Sequence, residues 1–160
     1  MDPLLHHAAS LPEIRLSPGE AVVREGESGS ALWILVSGAL TVLKSGTEIN
    51  TITRPGAAVG EISLLLDAPY SATVVASAPS VLRHAADGRA FLASNPQIAQ
   101  LIAIGLAERL HYVTTYLADL KSQYQGAPGL AMVGEVLHQL AHRQRPPAQG
   151  GSVREPNPDY

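Results

Sequence analysis

The chain has 160 residues, of which 46% are hydrophobic and 16% charged, and its formal net charge is −3. That length suits one domain with an appendage, and the lack of a basic block argues against nucleic acid as a partner, because a row of phosphates needs a row of cations. The chain has no cysteine, which excludes disulfides and thiolate metal sites. Because no segment approaches the roughly 20 apolar residues that span a bilayer, and MDPLLHHAAS lacks the features of a signal sequence, we expect a cytoplasmic protein without a membrane partner.

Short β-type runs alternate with turn residues over residues 13–85. The runs are EIRL, AVVR, ALWILV, ALTVLK, EINTIT, ATVVAS and SVLRHA, and most joints between them carry Gly or Pro, as in LSPGE, VSG, KSGT and TRPG. Many short strands at this spacing predict an antiparallel sandwich or barrel. Since only 4% of the residues are aromatic, we expect its core to be aliphatic.

The hydrophobic period changes after residue 85. Asp87 is a predicted cap for the helix GRAFLAS, and Asn95 with Pro96 opens a long helix. Apolar residues follow a heptad spacing along the long helix, at Leu106, Leu110, Val113, Leu117, Leu120 and Tyr124. Such a stripe packs either against the chain's own β domain or against a second helix, and the narrow 3.5-residue period favours the second. We therefore predict a homodimer whose seam contains Leu106, Leu110, Val113, Leu117 and Leu120.

Three segments follow from these patterns. The predicted β domain and its long helix occupy residues 1–125. QGAPG then breaks the helix, and LAMVGEVLHQLAHRQ predicts a short helical appendage over residues 126–144. The remaining residues, 145–160, are rich in Pro, Gly and polar side chains that bury little, so we expect a disordered tail.

The stretch GEISLLLDAPYSATVV, residues 60–75, combines several features of an anion site. Gly60 lets the backbone approach a ligand closely and precedes a short helix, whose free N–H groups favour an anion. Glu61 is able to accept hydrogen bonds from vicinal hydroxyls, Ser71 to donate one to a phosphate oxygen, and Ala72 leaves its backbone N–H accessible. Singly, each residue has an ordinary structural explanation, but together they indicate a sugar phosphate.

The order of these segments resembles the cyclic nucleotide-binding domain of catabolite activator protein, protein kinase A regulatory subunits and cyclic nucleotide-gated channels. The resemblance covers about residues 4–124 and rests on LSPGE, on EGESGSALWILVSGALTV with Gly26, Gly29 and Gly38, and on residues 60–75, which are similar to the family's phosphate-binding cassette. It implies a mainly β fold with flanking helices: a jelly-roll-like β-roll of about eight antiparallel strands and a long C-terminal helix. The implied function is a non-catalytic sensor of cAMP or cGMP that signals through that helix.

The resemblance also implies a role for each site residue. Glu61 would bind the ribose 2'-hydroxyl and Ser71 the cyclic phosphate, while Gly60 and the backbone near Ile62 and Ala72 would line the site. The base contacts would come from Thr114 and Thr115 on the long helix.

Tyr70 departs from the family's pattern, which has arginine at this position. Tyrosine offers at most one neutral donor in place of a cation, and the loss of a charged hydrogen bond weakens binding by about one to two orders of magnitude. Arg54 and Arg83 are candidate replacements. A second departure, Ala57 to Val59, stands where acidic and aromatic residues are usual, so the contact with the long helix is expected to pack differently.

Three other functions compete with the sensor. Enzyme motifs are missing, and His138 and His142 have the spacing of two metal ligands but lack an evident third, so we expect no catalysis, no metal and no cofactor. The second alternative is a transcription factor, which would need a DNA-binding unit after the long helix. Only about 35 residues follow that helix, too few for a complete winged DNA-binding unit. The third is a degenerate module that binds a protein partner and no nucleotide, which Tyr70 favours.

Overall fold

The computed structural model describes residues 2–126 and 131–142. The chain divides into two compact units, of which the first ends at Ala107 and the second begins at Glu108. The described helices and strands are, in chain order, α1 Pro3–His7, β1 Glu13–Leu16, β2 Ala21–Val23, β3 Leu32–Ser37, β4 Leu40–Lys44, β5 Thr47–Ile52, β6 Ala58–Val59, α2 Glu61–Leu66, β7 Thr73–Ala76, β8 Ser80–Ala85, α3 Gly88–Ser94, α4 Pro96–Gln123 and α5 Ala131–His142.

The strands form two four-stranded antiparallel sheets, with the orders β1-β8-β3-β6 and β2-β7-β4-β5. All seven predicted strands are present, and the predicted β-roll with a long C-terminal helix is confirmed. The additional strand, β6, was not predicted, because its two residues are too few to show an alternation. It pairs with β3 through Trp33 and Val59, which places the start of α2 at the edge of the first sheet.

The core has two parts because successive strand residues point to opposite faces. Both sheets contribute to the interior cluster, whose buried members are Val23, Leu35, Leu40, Val59, Tyr70, Val74, Ala76 and Leu82. On the other face of β3, Leu32 and Ile34 join the helix-side cluster, whose further buried members are Leu4, Ala8, Leu64, Ala85, Leu92, Ile98 and Ile102. The core is aliphatic as predicted, with Tyr70 as the buried aromatic exception.

The helices after β8 begin where the sequence indicates. The side chain of Asp87 caps α3 by accepting a hydrogen bond from the Ala90 N–H at 2.9 Å, and α4 begins at Pro96. The first turns of α4 are part of the core, since Ile98 and Ile102 are buried in the helix-side cluster. These contacts fix the start of α4 to the β-roll.

The predicted seam on α4 divides into two groups. Leu106, its first member, packs against the helix-side cluster of its own chain. Leu110 and Val113 remain 50% and 46% exposed, and Leu117 and Leu120 are half-buried. The homodimer stays a prediction, and it depends on the four later residues.

The structure describes only part of the two segments that were predicted to follow α4. α5 lies within the predicted appendage, whose bounds stay a prediction, while the predicted tail lies outside the described residues. Among the residues that the structure describes, no three His, Cys, Asp or Glu side chains form a metal site. No single described helix is long and apolar enough to cross a membrane; α3 and α4 pass that test only together, with a bend of 109° between them.

Candidate functional site

The junction between β6 and α2 requires glycine. Gly60 caps α2 in a left-handed conformation with φ of 89°, and a Cβ at this position would lie 2.8 Å from the Ala31 carbonyl oxygen. Only glycine adopts this conformation at little cost and leaves room for the neighbouring strand. The chain therefore turns from the sheet edge directly into a helix.

Glu61 is the first residue of α2 and is only 3% exposed. A carboxylate in the first turn interacts favourably with the free N–H groups and positive end of the helix. Burial of a carboxylate is costly unless it has partners, and Glu61 has contacts within the chain. A buried carboxylate, able to accept hydrogen bonds, thus lies beside Gly60.

The last part of the cassette, which leads into β7, is hydrogen-bonded to the loop after β2. The Gly26 N–H donates to the Tyr70 carbonyl, and the Tyr70 N–H donates to the Glu27 carbonyl, each at 2.9 Å. The Glu25 N–H donates to Thr73 Oγ1, also at 2.9 Å. These bonds hold the backbone on both sides of Ser71 and Ala72, while the Ser71 side chain stays exposed.

The Tyr70 side chain lies in the interior cluster and is only 9% exposed. A Cβ on Gly29 would collide with its hydroxyl, and one on Gly60 would lie 3.6 Å from its ring. Burial raises the pKa of Tyr70 above its usual value, and the charge of Glu27 acts in the same direction against a hydrogen bond with the Ala31 backbone. Tyr70 is therefore a neutral core side chain at the position where the family resemblance implies a cation.

The two arginines considered as replacements are engaged outside the cassette. Arg54 pairs with Asp2 at 3.3 Å. Arg83 pairs with Glu13 at 3.0 Å and donates to the Leu11 carbonyl at 2.8 Å. Neither contact brings a positive charge to Ser71.

Lys44, which the sequence reasoning missed, contacts the cassette directly. Its ammonium donates to the Ser71 carbonyl and pairs with Glu25 at 2.8 Å. The hydrogen bond from Lys44, together with one from the Ser45 N–H, lowers the pKa of Glu25. The sequence feature that pointed to Lys44 was the alternation of side chains along β4. Leu40 and Val42 belong to the interior face, and Lys44 follows Val42 at the same spacing of two residues.

Trp33 and His84 form a second feature that the sequence reasoning missed. Their rings stack with centroids 4.0 Å apart across β3 and β8. Burial lowers the pKa of His84, and the buried Trp33 Nε1 has no hydrogen-bond partner within the described residues. The only tryptophan in a chain with few aromatic residues was the signal available in the sequence.

A cavity of about 170 Å³ lies beside the C-terminal half of α2, between the loop after β2 and the start of α3. Arg89 lines it and donates to the Leu64 carbonyl at 3.0 Å and to Asp67 at 3.2 Å. The cavity is smaller than the roughly 300 Å³ at which pockets for small molecules begin. It does not contain Glu61 or Ser71 among its lining residues.

The remaining predicted site residues are all on described helices. Ile62 follows Glu61 on α2 and is 40% exposed. Thr114 and Thr115 lie on the part of α4 in the second unit, where Thr114 is half-buried and Thr115 exposed. Their contacts with a base stay a prediction.

The eight strands in two antiparallel sheets, followed by a long helix, define a β-roll fold, and comparison with known proteins identifies the family. The family model described as "Cyclic nucleotide-binding domain" matches residues 13–94. The chain belongs to this family.

Two curated relatives and one solved structure agree with this assignment. The cAMP-dependent protein kinase regulatory subunit of Yarrowia lipolytica is 40% identical over 73 residues, which are 46% of this chain and 19% of that protein. A CRP-like cAMP-activated global transcriptional regulator of Mycobacterium tuberculosis is 31% identical over 142 residues, covering 85% of this chain and 61% of the regulator. The chain therefore spans less than two thirds of either relative. The Thermus thermophilus catabolite activator protein shares the fold, with a TM-score of 0.62 and 22% identity over 88% of this chain and 85% of that one.

Proposed function

We propose that the chain is a non-catalytic regulatory module that binds a cyclic nucleotide, cAMP or cGMP, in the cassette. The observation that carries this proposal is the position of Glu61, buried at the start of α2 beside the left-handed Gly60, in a chain of the cyclic nucleotide-binding family. The ligand would be a regulatory partner, and no cofactor is invoked.

In this proposal each part of the ligand has its own contact. The Glu61 carboxylate accepts hydrogen bonds from the ribose hydroxyls, and the exposed Ser71 hydroxyl donates to the cyclic phosphate. The backbone at Gly60, Ile62 and Ala72 lines the site. Because Tyr70 supplies no cation, we expect an affinity about one to two orders of magnitude below that of a cassette with arginine.

The helix-side cluster offers a route for the signal to the C-terminal helix. Leu64 of α2 and Ile98 of α4 both belong to this cluster and are buried. Because packed cores deform little and rearrange between discrete states, a ligand-induced shift of α2 would change the packing of the first turns of α4. We propose that α4 carries the bound state to a partner protein or to a second copy of the chain.

Calorimetric titration with cAMP and cGMP tests the binding proposal. We expect Glu61→Gln to weaken binding by about tenfold, since hydrogen bonds to a charged group contribute roughly 1.5–3 kcal/mol. Glu48→Gln, at an exposed carboxylate on β5, is the matched control and should bind like the parent. Tyr70→Arg should bind more tightly than the parent. If neither the parent nor Tyr70→Arg responds to millimolar cAMP or cGMP, the nucleotide proposal is wrong.

One observation favours a second candidate, a module that contacts a protein partner and binds no nucleotide. Tyr70 fills space inside the β-roll with a side chain that is well packed and hydrogen-bonded. A core side chain of this kind stabilises the fold without a ligand. If the folded protein shows no heat of binding in the titrations with cAMP and with cGMP, that result would support this candidate. A cytoplasmic location and the absence of nucleic-acid and membrane partners stay predictions under either one.

A further inference from the structure

We propose that Lys44 supplies the positive charge for the ligand's phosphate that the cassette lacks at Tyr70. This inference rests on the proposed cyclic nucleotide site and names the residue that adapts it to a cassette with tyrosine. It assigns phosphate recognition to the end of β4, outside the cassette itself.

The position of Lys44 follows from the pairing of β4 with β7. Leu43 lies opposite Thr73 in this ladder, so the next residue of β4 lies beside the segment that leads into β7. The Lys44 ammonium reaches the Ser71 carbonyl there. The cation is thus bonded to the residue whose hydroxyl is proposed to hold the phosphate.

Lys44 is available for a phosphate because its present partners leave it accessible. The side chains of Lys44 and Glu25 are 50% and 30% exposed, with 2.8 Å between their charged atoms. An ion pair as exposed as this one contributes little to stability, so exchange of the carboxylate for a phosphate costs little. An ammonium has three N–H donors, so Lys44 is able to keep its bond to the Ser71 carbonyl while it binds a phosphate.

Glu25 is the built-in competitor for Lys44. The lowered pKa of Glu25 keeps it ionised at neutral pH. Its carboxylate also accepts a hydrogen bond from the Ser45 N–H at 2.8 Å, so it retains a partner when Lys44 turns to the ligand. Removal of the Glu25 charge should therefore release Lys44 for the phosphate.

The test compares cAMP affinity by calorimetry at low and at high salt. Lys44→Met should bind cAMP about tenfold more weakly than the parent and show a smaller salt dependence, because the lost interaction is between charges. Lys44→Arg should keep most of the affinity. Glu25→Gln should bind several-fold more tightly, and Arg54→Met, which removes a cation held at Asp2, should bind like the parent.

A double variant connects the effect to the phosphate. Tyr70→Arg combined with Lys44→Met should recover the affinity that Lys44→Met loses, because the arginine restores a cation at the family position. Circular dichroism and thermal melting establish that each variant is folded. If Lys44→Met does not fold, Lys44→Gln and Glu25→Gln decide the question by the same titrations.

The outcomes separate this inference from the proposed function. A parent that binds cAMP while folded Lys44→Met binds it equally well overturns the role of Lys44 and leaves the nucleotide site intact. A loss of affinity with an unchanged salt dependence also overturns it, since that loss would come from packing. If the parent and Tyr70→Arg both fail to bind, the proposed function fails, and the role of Lys44 fails with it.

Discussion

Tyr70 and Trp33 place two polar aromatic side chains against an otherwise aliphatic interior cluster. Buried tyrosine and tryptophan usually find hydrogen-bond partners, and Tyr70 has one in the Ala31 backbone. Because its ring also packs beside Gly60, Tyr70 links the loop after β2 to the start of α2. Tyr70 thus makes an internal contact at the position where the family resemblance implies an arginine.

His84 makes the stability of the β-roll depend on pH. Burial against Trp33 lowers the pKa of His84 below its ordinary value of 6.5, so below that pH the unfolded chain binds more protons than the folded one. Stability is therefore lost as the pH falls from about 6.5 through the folded pKa. We expect the urea midpoint of the parent to be lower at about pH 5.5 than at about pH 7.5.

His84→Phe isolates this effect, because phenylalanine still stacks on Trp33 and does not bind a proton. Its urea midpoint should change less than that of the parent between these two pH values. His7→Phe, at an exposed histidine of α1, is the control and should keep the parent's dependence. Glu25 loses its contribution only below its ordinary pKa of 4.5, outside this range. An equal pH dependence in His84→Phe and the parent would contradict the assignment.

The junction of β6 and α2 is constrained both by its left-handed backbone and by its close approach to Ala31. We predict that Gly60→Ala destabilises the fold more than Gly19→Ala does. Both glycines have a left-handed φ, 89° and 91°, but a Cβ meets the Ala31 carbonyl at 2.8 Å in the first case and nothing within 4 Å in the second. Gly19→Ala should cost about 1–2 kcal/mol of unfolding free energy for its conformation alone.

Urea unfolding of both variants provides the measurement, and the difference between them isolates the close approach to Ala31. Gly60→Ala should cost at least about 1 kcal/mol more, since the clash is with the Ala31 backbone, which must shift. Equal losses in the two variants would show that the backbone yields easily at Ala31, just before β3. The glycine would then be needed for its φ alone.

Most of the elements were predictable because their signals are local. Most of the joints between the seven longer strands carry Gly or Pro, and Asn95 with Pro96 marks the start of α4. Gly60 at the start of a short helix was predicted from the cassette, whereas the burial of Glu61 was not, because it depends on the elements that pack around α2. The contact of Lys44 with the Ser71 carbonyl was not predicted, because it depends on the pairing of Leu43 with Thr73, and a single sequence does not specify which strands pair. The stacking of Trp33 on His84 depends on strand pairing in the same way.

The long helix α4 has two different parts. Its first turns contribute Ile98 and Ile102 to the helix-side cluster, and Leu106 packs against the same cluster. Farther along, the stripe residues Leu110 and Val113 are 50% and 46% exposed. Apolar side chains with a heptad spacing and this exposure are typical of a helix that pairs with another helix.

We predict that the chain forms a homodimer through Leu110, Val113, Leu117 and Leu120. Full burial of an aliphatic side chain contributes about 1.5–3 kcal/mol, so half-burial of four residues from each of two helices contributes roughly 6–12 kcal/mol before the costs of association. That margin supports a dimer in the micromolar range when other contacts add to it. Sedimentation equilibrium of the parent should therefore show a dimer at tens of micromolar.

The matched variants place the same two charges on and off the stripe. Val113→Asp with Leu117→Asp should be monomeric, because each aspartate would be buried in the seam without a partner. Tyr112→Asp with Ala118→Asp adds the same charge at exposed positions outside the stripe and should dimerise like the parent. Circular dichroism should show equal helix content in both double variants. A parent that stays monomeric at tens of micromolar, with and without cAMP, would contradict the seam, and the exposed stripe would then have to be explained by contacts other than pairing with a second copy.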